Sequence, residues 1–482
     1  MYIYVKGSIV KNSYKTITKV LQRYKKDILV KISAFKTVRK IDIMIKKTVI
    51  TMITTAGFLM ANSLPQYHSK TLENGLQVVA IPMKNDSNVI TTDIFYKVGS
   101  RNEVMGKSGI AHMLEHLNFK STKNLEAGEF DKIVKSKGGV NNAATSFDYT
   151  HYYIKSSSKN LETSVELFAE LMENLNLKDE EFQVERDVVA EERRVRTDNP
   201  PIGYLYFRLF NTHYVAHPYH WTPIGFMNDI QTWTIDDIKE FHSKYYQPNN
   251  AILIVTGDID EKEVFKTAKE KFGKIKNHIK IPKLHLKEPK RDGNIRQIIH
   301  KENNTVDTIA IAYPIPNYEH KDQVVLSAIS EILSSGRSSR LNKELIDKKQ
   351  MANTIYAYNM ELTDDGIFLF MGMANPGVKI EDLEKAIHEE IEKIKSGDVT
   401  KEELEKVKIN AKADFIYSLE DSASVNSLFG SYFVRGNLKP LLTYEENLAK
   451  ITPELVTKIA NKYFNDDIAT TLILKKQTEK SK

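Results

Sequence analysis

Two histidines and a glutamate lie within five residues of one another, in the segment from His112 to His116. On a helix, residues three and four apart share a face, so both imidazoles can reach one cation while Glu115 lies beside it. Imidazole nitrogens are common ligands of Zn²⁺, and a free carboxylate next to the ion can take a proton from a metal-activated water. The spacing therefore predicts hydrolytic chemistry. The alternative is an amphipathic helix whose histidines are capped or solvated.

A third metal ligand must come from elsewhere in the chain, because catalytic zinc usually takes three protein groups. The charged stretch 179–199 predicts a surface helix that ends before Pro200-Pro201. Within it, Glu185 and Glu192 are seven residues apart, which is almost two turns, so both carboxylates lie on one stripe. One could bind the metal while the other holds a ligand histidine, and Glu191 competes for either role. Such a run is also typical of a solvated helix.

The segment His112–His116, followed by residues 185–193, resembles the pitrilysin family of inverzincin peptidases. That family includes insulin-degrading enzyme and the catalytic subunit of mitochondrial processing peptidase. Its third zinc ligand is a glutamate well downstream of the second histidine. The resemblance assigns this role to Glu192, which lies 76 residues after His116, rather than to Glu191. It gives Glu185 the place of the acid that supports a ligand histidine.

The likeness covers most of residues 68–470. Phe95–Glu103 resembles the family's approach to the zinc helix, and residues 138–145 resemble its substrate strand. The paired glycines at the start of that strand permit a turn with unusual backbone angles. An exposed edge strand beside the metal would bind a peptide as an added strand, through main-chain hydrogen bonds. The resemblance implies that Asn142 and Ala143 line this edge, and an ordinary hairpin is the alternative.

The sequence predicts two halves of similar organisation. Residues 67–272 form the half that would bind zinc, and residues 294–474 form a second half without metal ligands. In the second half a helix over Gln323–Leu333 takes the place of the zinc helix and contains no histidine. The charged connector 273–293 indicates a linker. The expected fold is α+β, with two homologous α/β-sandwich domains in the clam-like pair that the resemblance implies, and one zinc ion per chain.

The second half departs from the family at its substrate-binding pair. Active single-chain members carry an arginine and, further along, a tyrosine that hold the substrate and stabilise the oxyanion. Ile346 and Asn353 stand at the matching positions. Losing an oxyanion donor costs roughly a hundredfold to a thousandfold in rate. We therefore expect a related metal-free subunit, or a second copy in a homodimer, to supply the pair, unless Tyr356 or Tyr358 substitutes.

Composition is that of a globular enzyme of two domains. The chain has 482 residues, 41% hydrophobic content and no cysteine, which excludes disulfides and thiolate zinc ligands. Residues 1–47 hold 13 Lys and Arg against two acids, a net of +11, so the rest of the chain carries −5 of the total +6. Because the positive surplus lies in a terminal segment, it does not indicate a nucleic-acid-binding enzyme body.

Residues 44–63 predict a secretory signal peptide. Met44-Ile45-Lys46-Lys47 leads into an uncharged, largely apolar run of 14 residues that is too short for a stable membrane span, and small residues follow it. Residues 1–43 would then be an over-extended reading frame, and the protein would be periplasmic. The alternative takes those Lys-rich residues as a mitochondrial transit peptide that directs the protein to the matrix.

The expected activity is a zinc endopeptidase that acts on peptides or unfolded segments. His112, His116 and Glu192 would hold the metal, and Glu115 would accept a proton from the attacking water and pass it to the leaving amine. One alternative is a non-cleaving binding or processing subunit of a peptidase complex. Another is a structural zinc protein, which the open arrangement of three ligands and a free glutamate disfavours.

Overall fold

The computed structural model describes residues 63–83, 87–302 and 304–477. The expected signal peptide up to Asn62, and the terminus before it, lie outside these residues. Within the described ranges, no helix has the length and apolar content that a membrane crossing requires.

The first half builds a six-stranded sheet from segments rich in β-branched and aromatic residues. Its strands are β1 (His68–Thr71), β2 (Gln77–Pro82), β3 (Val89–Tyr96), β4 (Val140–Thr145), β5 (Thr150–Ser157) and β6 (Ala251–Gly257). Their order in space is β1-β2-β6-β3-β5-β4. β2 and β6 pair in parallel, and the other neighbours pair antiparallel. The strand that was expected to bind substrate, β4, is therefore an edge strand.

The second half repeats this topology without a counterpart of β1. Its strands are β7 (Ile295–His300), β8 (Thr308–Ile315), β9 (Ala352–Met360), β10 (Gly366–Ala374) and β11 (Thr470–Lys475), in the order β7-β11-β8-β10-β9. β7 and β11 pair in parallel, as β2 and β6 do in the first sheet, and the other neighbours pair antiparallel. β9 takes the edge position that β4 holds in the first sheet. The predicted α+β fold with two homologous halves is confirmed.

Helices cover the sheets of both halves. The first half contains α1 (Ile110–Leu117), α2 (Glu129–Ser136), α3 (Leu161–Asn174), α4 (Asp179–Arg193), α5 (Pro201–His213), α6 (Met227–Thr232), α7 (Ile235–Tyr245) and α8 (Glu261–Phe272). The second contains α9 (Gln323–Ser334), α10 (Ile380–Lys395), α11 (Lys401–Tyr417), α12 (Ser422–Arg435), α13 (Lys439–Leu442), α14 (Tyr444–Ala449) and α15 (Pro453–Tyr463). α9 follows β8 as α1 follows β3. Residues 273–293, between α8 and β7, form neither helix nor strand.

The two halves exchange one helix each. α5 belongs to the first half, but its Leu205, Leu209 and Phe210 pack on the second sheet. α12 belongs to the second half, and its Val425 and Phe429 pack on the outer face of the first sheet. Burying one such side chain contributes about 1.5–3 kcal/mol. Each sheet therefore completes its core with a helix from the other half, so the halves depend on each other for stability.

Candidate metal centre

Helix α1 holds the two histidines because its apolar residues anchor it to the sheet. Residues 110, 113, 114 and 117 recur at the helical period and are buried in the first core, which leaves His112, Glu115 and His116 half-buried on another face. That face contacts α4 and the edge strand β4. The packing of the apolar stripe thus determines which way the polar triplet points.

A buried carboxylate fixes the start of α1. Glu103, only 4% exposed, accepts hydrogen bonds from the backbone N–H groups of Gly109 and Ala111, at 2.8 Å each, and from Nε1 of Trp221 at 2.7 Å. Amides in the first turn have no partner within the helix, so the oxygens of Glu103 supply acceptors that these amides would otherwise lack. Gly109 has φ +87°, which favours glycine. An acid shortly before a helix start was the available sequence signal, but it does not distinguish Glu103 from solvated acids.

His112, His116 and Glu192 converge on one point. Glu192 Oε2 lies 3.6 Å from Nε2 of His112 and 3.4 Å from Nε2 of His116, and the three ligand atoms all lie within 4.8 Å of one another. Zinc with bonds of 2.0–2.2 Å in tetrahedral geometry places its ligand atoms about 3.4 Å apart. Two imidazoles and one carboxylate at this spacing fit a zinc ion with three protein ligands.

The neighbouring acid, Glu191, points away from this cluster. Its side chain is 62% exposed and pairs with Arg194 at 2.9 Å, whereas that of Glu192 is 18% exposed. Glu192 also accepts from Arg196 through its second oxygen, Oε1, at 2.9 Å. Arg196 lies in a π-helical turn, Arg194–Asp198, that continues α4. The turn directs Arg196 back to the carboxylate, which leaves one oxygen of Glu192 for the metal.

Glu185 supports His116 from the side opposite Glu192. Its Oε1 lies 2.7 Å from Nδ1 of His116, and its Oε2 lies 2.5 Å from Nζ of Lys120. Because an ionised carboxylate only accepts hydrogen bonds, Nδ1 carries the proton and Nε2 faces the metal position. Nδ1 of His112 is buried and has no hydrogen-bond partner among the described residues. The carboxylate support is therefore seen at one of the two histidines.

Burial and neighbouring charges shift the pKa values of the two histidines in opposite directions. Burial, reinforced by His116, lowers the pKa of His112 to about 4. Burial would also lower the pKa of His116, but its hydrogen bonds to Glu185 and Glu192 outweigh this effect and raise the pKa to about 9. The hydrogen bond to His116 lowers the pKa of Glu192. A metal that binds through Nε2 of His116 must therefore displace a proton.

Glu115 lies beside the cluster without pairing with either histidine at hydrogen-bond distance among the described contacts. Its Oε2 accepts a hydrogen bond from the hydroxyl of Thr145 at 2.6 Å. Burial raises the pKa of Glu115, and the hydrogen bond from Thr145 acts in the opposite direction. A half-buried carboxylate with one oxygen held and one uncommitted can accept a proton from a nearby water.

Asn142 and Ala143 both lie on the edge strand β4, but their side chains point to opposite faces. Ala143 is half-buried and packs against the first core, on the side of α1, whereas Asn142 is exposed. The register partner of Asn142 on β5 is Tyr153, and that of Ala143 is Tyr152. Alternation along the strand therefore places Ala143 on the face towards α1 and Asn142 on the opposite face.

The four second-half positions considered for substrate binding lie on two neighbouring elements. Ile346 is in a π-helical turn, Asn342–Lys348, and packs partly buried against the second core. Asn353, Tyr356 and Tyr358 lie on the edge strand β9. Tyr356 directs its hydroxyl to Sδ of Met371 at 3.2 Å, and Tyr358 is 55% exposed. An arginine in place of Ile346 would have to leave this apolar contact.

Substitution of the two adjacent glutamates tests the ligand set. Glu192→Gln replaces a carboxylate ligand by a neutral amide, so we expect bound zinc to fall well below one ion per chain. Glu191→Gln is the matched control and should keep zinc and thermal stability. Glu185→Gln should bind zinc about 10- to 100-fold more weakly, because a support of a ligand histidine is lost. Metal analysis and competition with a chelator measure all three. Full zinc binding by Glu192→Gln would contradict the assignment.

Two family models match the chain. Residues 78–216 match Insulinase (Peptidase family M16), and residues 232–411 match Peptidase M16 inactive domain. The chain is 54% identical over 427 residues to the zinc protease PqqE of Helicobacter pylori, and the matched region covers 88% of this chain and 96% of that protein. It is 25% identical over 406 residues to the uncharacterized zinc protease YmxG of Bacillus subtilis, covering 84% and 97% of the two chains.

Solved structures give the same result. A protease from Helicobacter pylori superimposes with a TM-score of 0.84 at 55% identity, covering 86% of this chain and 100% of that chain. The first half of the periplasmic protease PqqL from Escherichia coli shares the fold, with a TM-score of 0.69 at 21% identity and a coverage of 86% and 93%. The resemblance drawn from the histidine and glutamate motifs is confirmed: the chain belongs to the insulinase family of peptidases, family M16, and is a protein of the zinc-peptidase type.

Proposed function

We propose that the protein is a zinc endopeptidase that hydrolyses peptides or unfolded segments. The observation that carries the proposal is the convergence of His112, His116 and Glu192 within 4.8 Å, next to a separate carboxylate, Glu115. Three protein ligands and a free acid are the arrangement of catalytic zinc sites, whereas structural sites use four protein ligands. The names of related zinc proteases agree with this metal.

The protein's own residues divide the chemistry among them. Zinc, when bound, supplies a Lewis acid that polarises the scissile carbonyl and activates a water. Glu115 accepts the proton of that water on its uncommitted oxygen and later delivers it to the leaving amine. Glu185 and Lys120 hold His116 in the tautomer that presents Nε2. Arg196 holds the outer oxygen of Glu192, so the inner oxygen stays directed at the metal.

The edge strand β4 is the proposed substrate-binding element. It pairs with β5 on one side, and α1 contacts it directly. A peptide in extended conformation would add to the free side as a further strand, and its main-chain hydrogen bonds would not depend on its sequence. Ala143, on the side of the metal cluster, and Asn142, on the opposite face, would flank this peptide. Folded proteins lack such a free extended segment, which favours unfolded substrates.

Two substitutions separate metal binding from hydrolysis. Glu115→Gln leaves the three ligands intact, so we expect normal zinc content and loss of peptide hydrolysis. His112→Ala removes a ligand, so both zinc and activity should be lost. The measurements are metal analysis and digestion of an unstructured peptide, followed by mass spectrometry. Hydrolysis by Glu115→Gln at the wild-type rate would refute the role of base.

The proposal includes a partner subunit. Ile346 and Asn353 stand where active single-chain relatives carry an arginine and a tyrosine, and Ile346 is held in an apolar contact. A related metal-free chain, or a second copy of this one, would then supply the missing donors. Within the chain, Tyr358, which is exposed on β9, is the candidate to take the place of the missing donor.

Comparing the purified protein alone with a mixture that contains a co-encoded paralogue tests this partnership. Because the missing donors typically contribute a hundredfold or more, we expect hydrolysis to rise by about that factor in the mixture. Size-exclusion chromatography should show a complex of the two chains. Full activity of the purified monomer would exclude the need for a partner.

The second candidate function is a binding or processing subunit that does not cleave. The family model that matches residues 232–411 is described as an inactive domain, and the second half has no histidine on α9. The complete ligand set of the first half argues against it. This function predicts a zinc-containing protein that binds an unstructured peptide but leaves it intact, with or without a partner.

The proposed compartment is the periplasm, with the mitochondrial matrix as the alternative. The support is the basic start, the apolar run and the small residues of the segment 44–63. Cleavage there would remove a segment with a high positive charge and leave a mildly acidic enzyme. N-terminal sequencing of the native protein should give a first residue near Asn62, and a start within residues 1–43 would contradict secretion.

A further inference from the structure

Thr145 connects the edge strand to the acid that we assign as the base. It is the last residue of β4, and its side chain lies on the same face as Ala143, towards α1. Its hydroxyl donates to Glu115 Oε2 at 2.6 Å. The hydroxyl of Thr150, its register partner on β5, lies 3.5 Å away and donates to the carbonyl of Val98 at 2.9 Å. The position of Thr145 is therefore constrained from the side of the sheet.

The backbone of Thr145 belongs to the free side of β4. The N–H of Ser146 donates to the carbonyl of Tyr149 at 2.8 Å and closes the hairpin between β4 and β5. In an antiparallel pair, hydrogen-bonded residues alternate with residues whose backbone groups point to the other side. Counting back from Ser146, Ala144 and Asn142 pair with β5, whereas Thr145 and Ala143 direct their N–H and C=O groups to the open edge.

We propose that Thr145 is a positioning residue that couples a peptide on the edge strand to the orientation of Glu115. This inference rests on the proposed function, since it takes Glu115 as the base and β4 as the substrate edge. A peptide that pairs with the main chain of Thr145 fixes this residue from outside. The hydroxyl of the same residue then holds one oxygen of Glu115 and turns the other oxygen towards the attacking water.

The coupling matters because proton transfer depends on placement. A misplacement of a catalytic group by 1 Å costs about a hundredfold in rate. Three rotatable bonds determine the orientation of the Glu115 carboxylate, and the hydroxyl of Thr145 is the hydrogen-bond donor that the structure gives it. Loss of that donor should therefore lower the rate of the chemical step and leave metal binding intact, because no zinc ligand contacts Thr145 among the described hydrogen bonds.

The test compares three variants of the full chain, assayed with the partner subunit if activity requires one. Thr145→Val keeps the shape and removes the hydroxyl, so we expect kcat to fall about tenfold to a hundredfold. KM and the zinc dissociation constant, measured by competition with a chelator, should stay within about threefold of the wild type. Thr145→Ser restores a hydroxyl and should recover most of kcat. Such a loss in kcat alone indicates an interaction that acts on the transition state.

Thr91→Val is the control for losing a buried hydroxyl in the same sheet. The hydroxyl of Thr91 lies 2.7 Å from that of Ser422, on the face that α12 covers. The variant Thr91→Val should therefore keep the wild-type kcat. The inference is overturned if Thr145→Val keeps kcat, if Thr145→Ser is as slow as Thr145→Val, or if Thr91→Val is equally slow. Failure of the proposed function is distinct, since Glu115→Gln would then remain active, or no variant and no wild-type protein would hydrolyse peptide.

Discussion

The contact between α1 and α4 is the interaction on which the site depends. It brings side chains of alternating charge into one line, from Lys120 through Glu185 and His116 to Glu192 and Arg196. Removing carboxylates and an imidazolium from water is costly unless each charge finds a partner. Because every member of this line contacts an opposite neighbour, the two helices can bury ligand groups together. These contacts fix the orientation of His116 and Glu192 within the candidate metal centre.

The duplicated fold explains how one half can carry the candidate metal centre while the other half supports it. α1 follows β3 and α9 follows β8, but α1 carries the histidines and α9 carries apolar and small polar residues in their place. The exchanged helices α5 and α12 tie the halves together through their cores. The second half thus contributes to the stability of the first sheet even though its helix α9 carries no histidine.

Local patterns were sufficient for α1 and for the order of elements. The four-residue spacing of His112 and His116 needs only helical geometry, and the repeated arrangement of strands and helices follows from periodicity within each segment. The choice of Glu192 over Glu191 came from the resemblance, and the structure separates them by orientation: one faces the histidines and the other pairs with Arg194. Adjacent residues on a helix point about 100° apart, and the composition of the run does not show which of the two faces the histidines.

The sequence by itself determined that two imidazoles share a helix face with a free acid, and that a second acidic helix lies downstream. Only the tertiary structure decided which groups meet them. Glu103 accepts a hydrogen bond from the first turn of α1, and Thr145 donates one to Glu115. Lys120 forms an ion pair with Glu185, from which 65 residues separate it in the sequence. Such contacts depend on how the helices pack on the sheet and on which face each side chain takes. The pattern within one segment does not show how its helix packs or which partners its faces meet, because both follow from burial of apolar surface elsewhere in the chain.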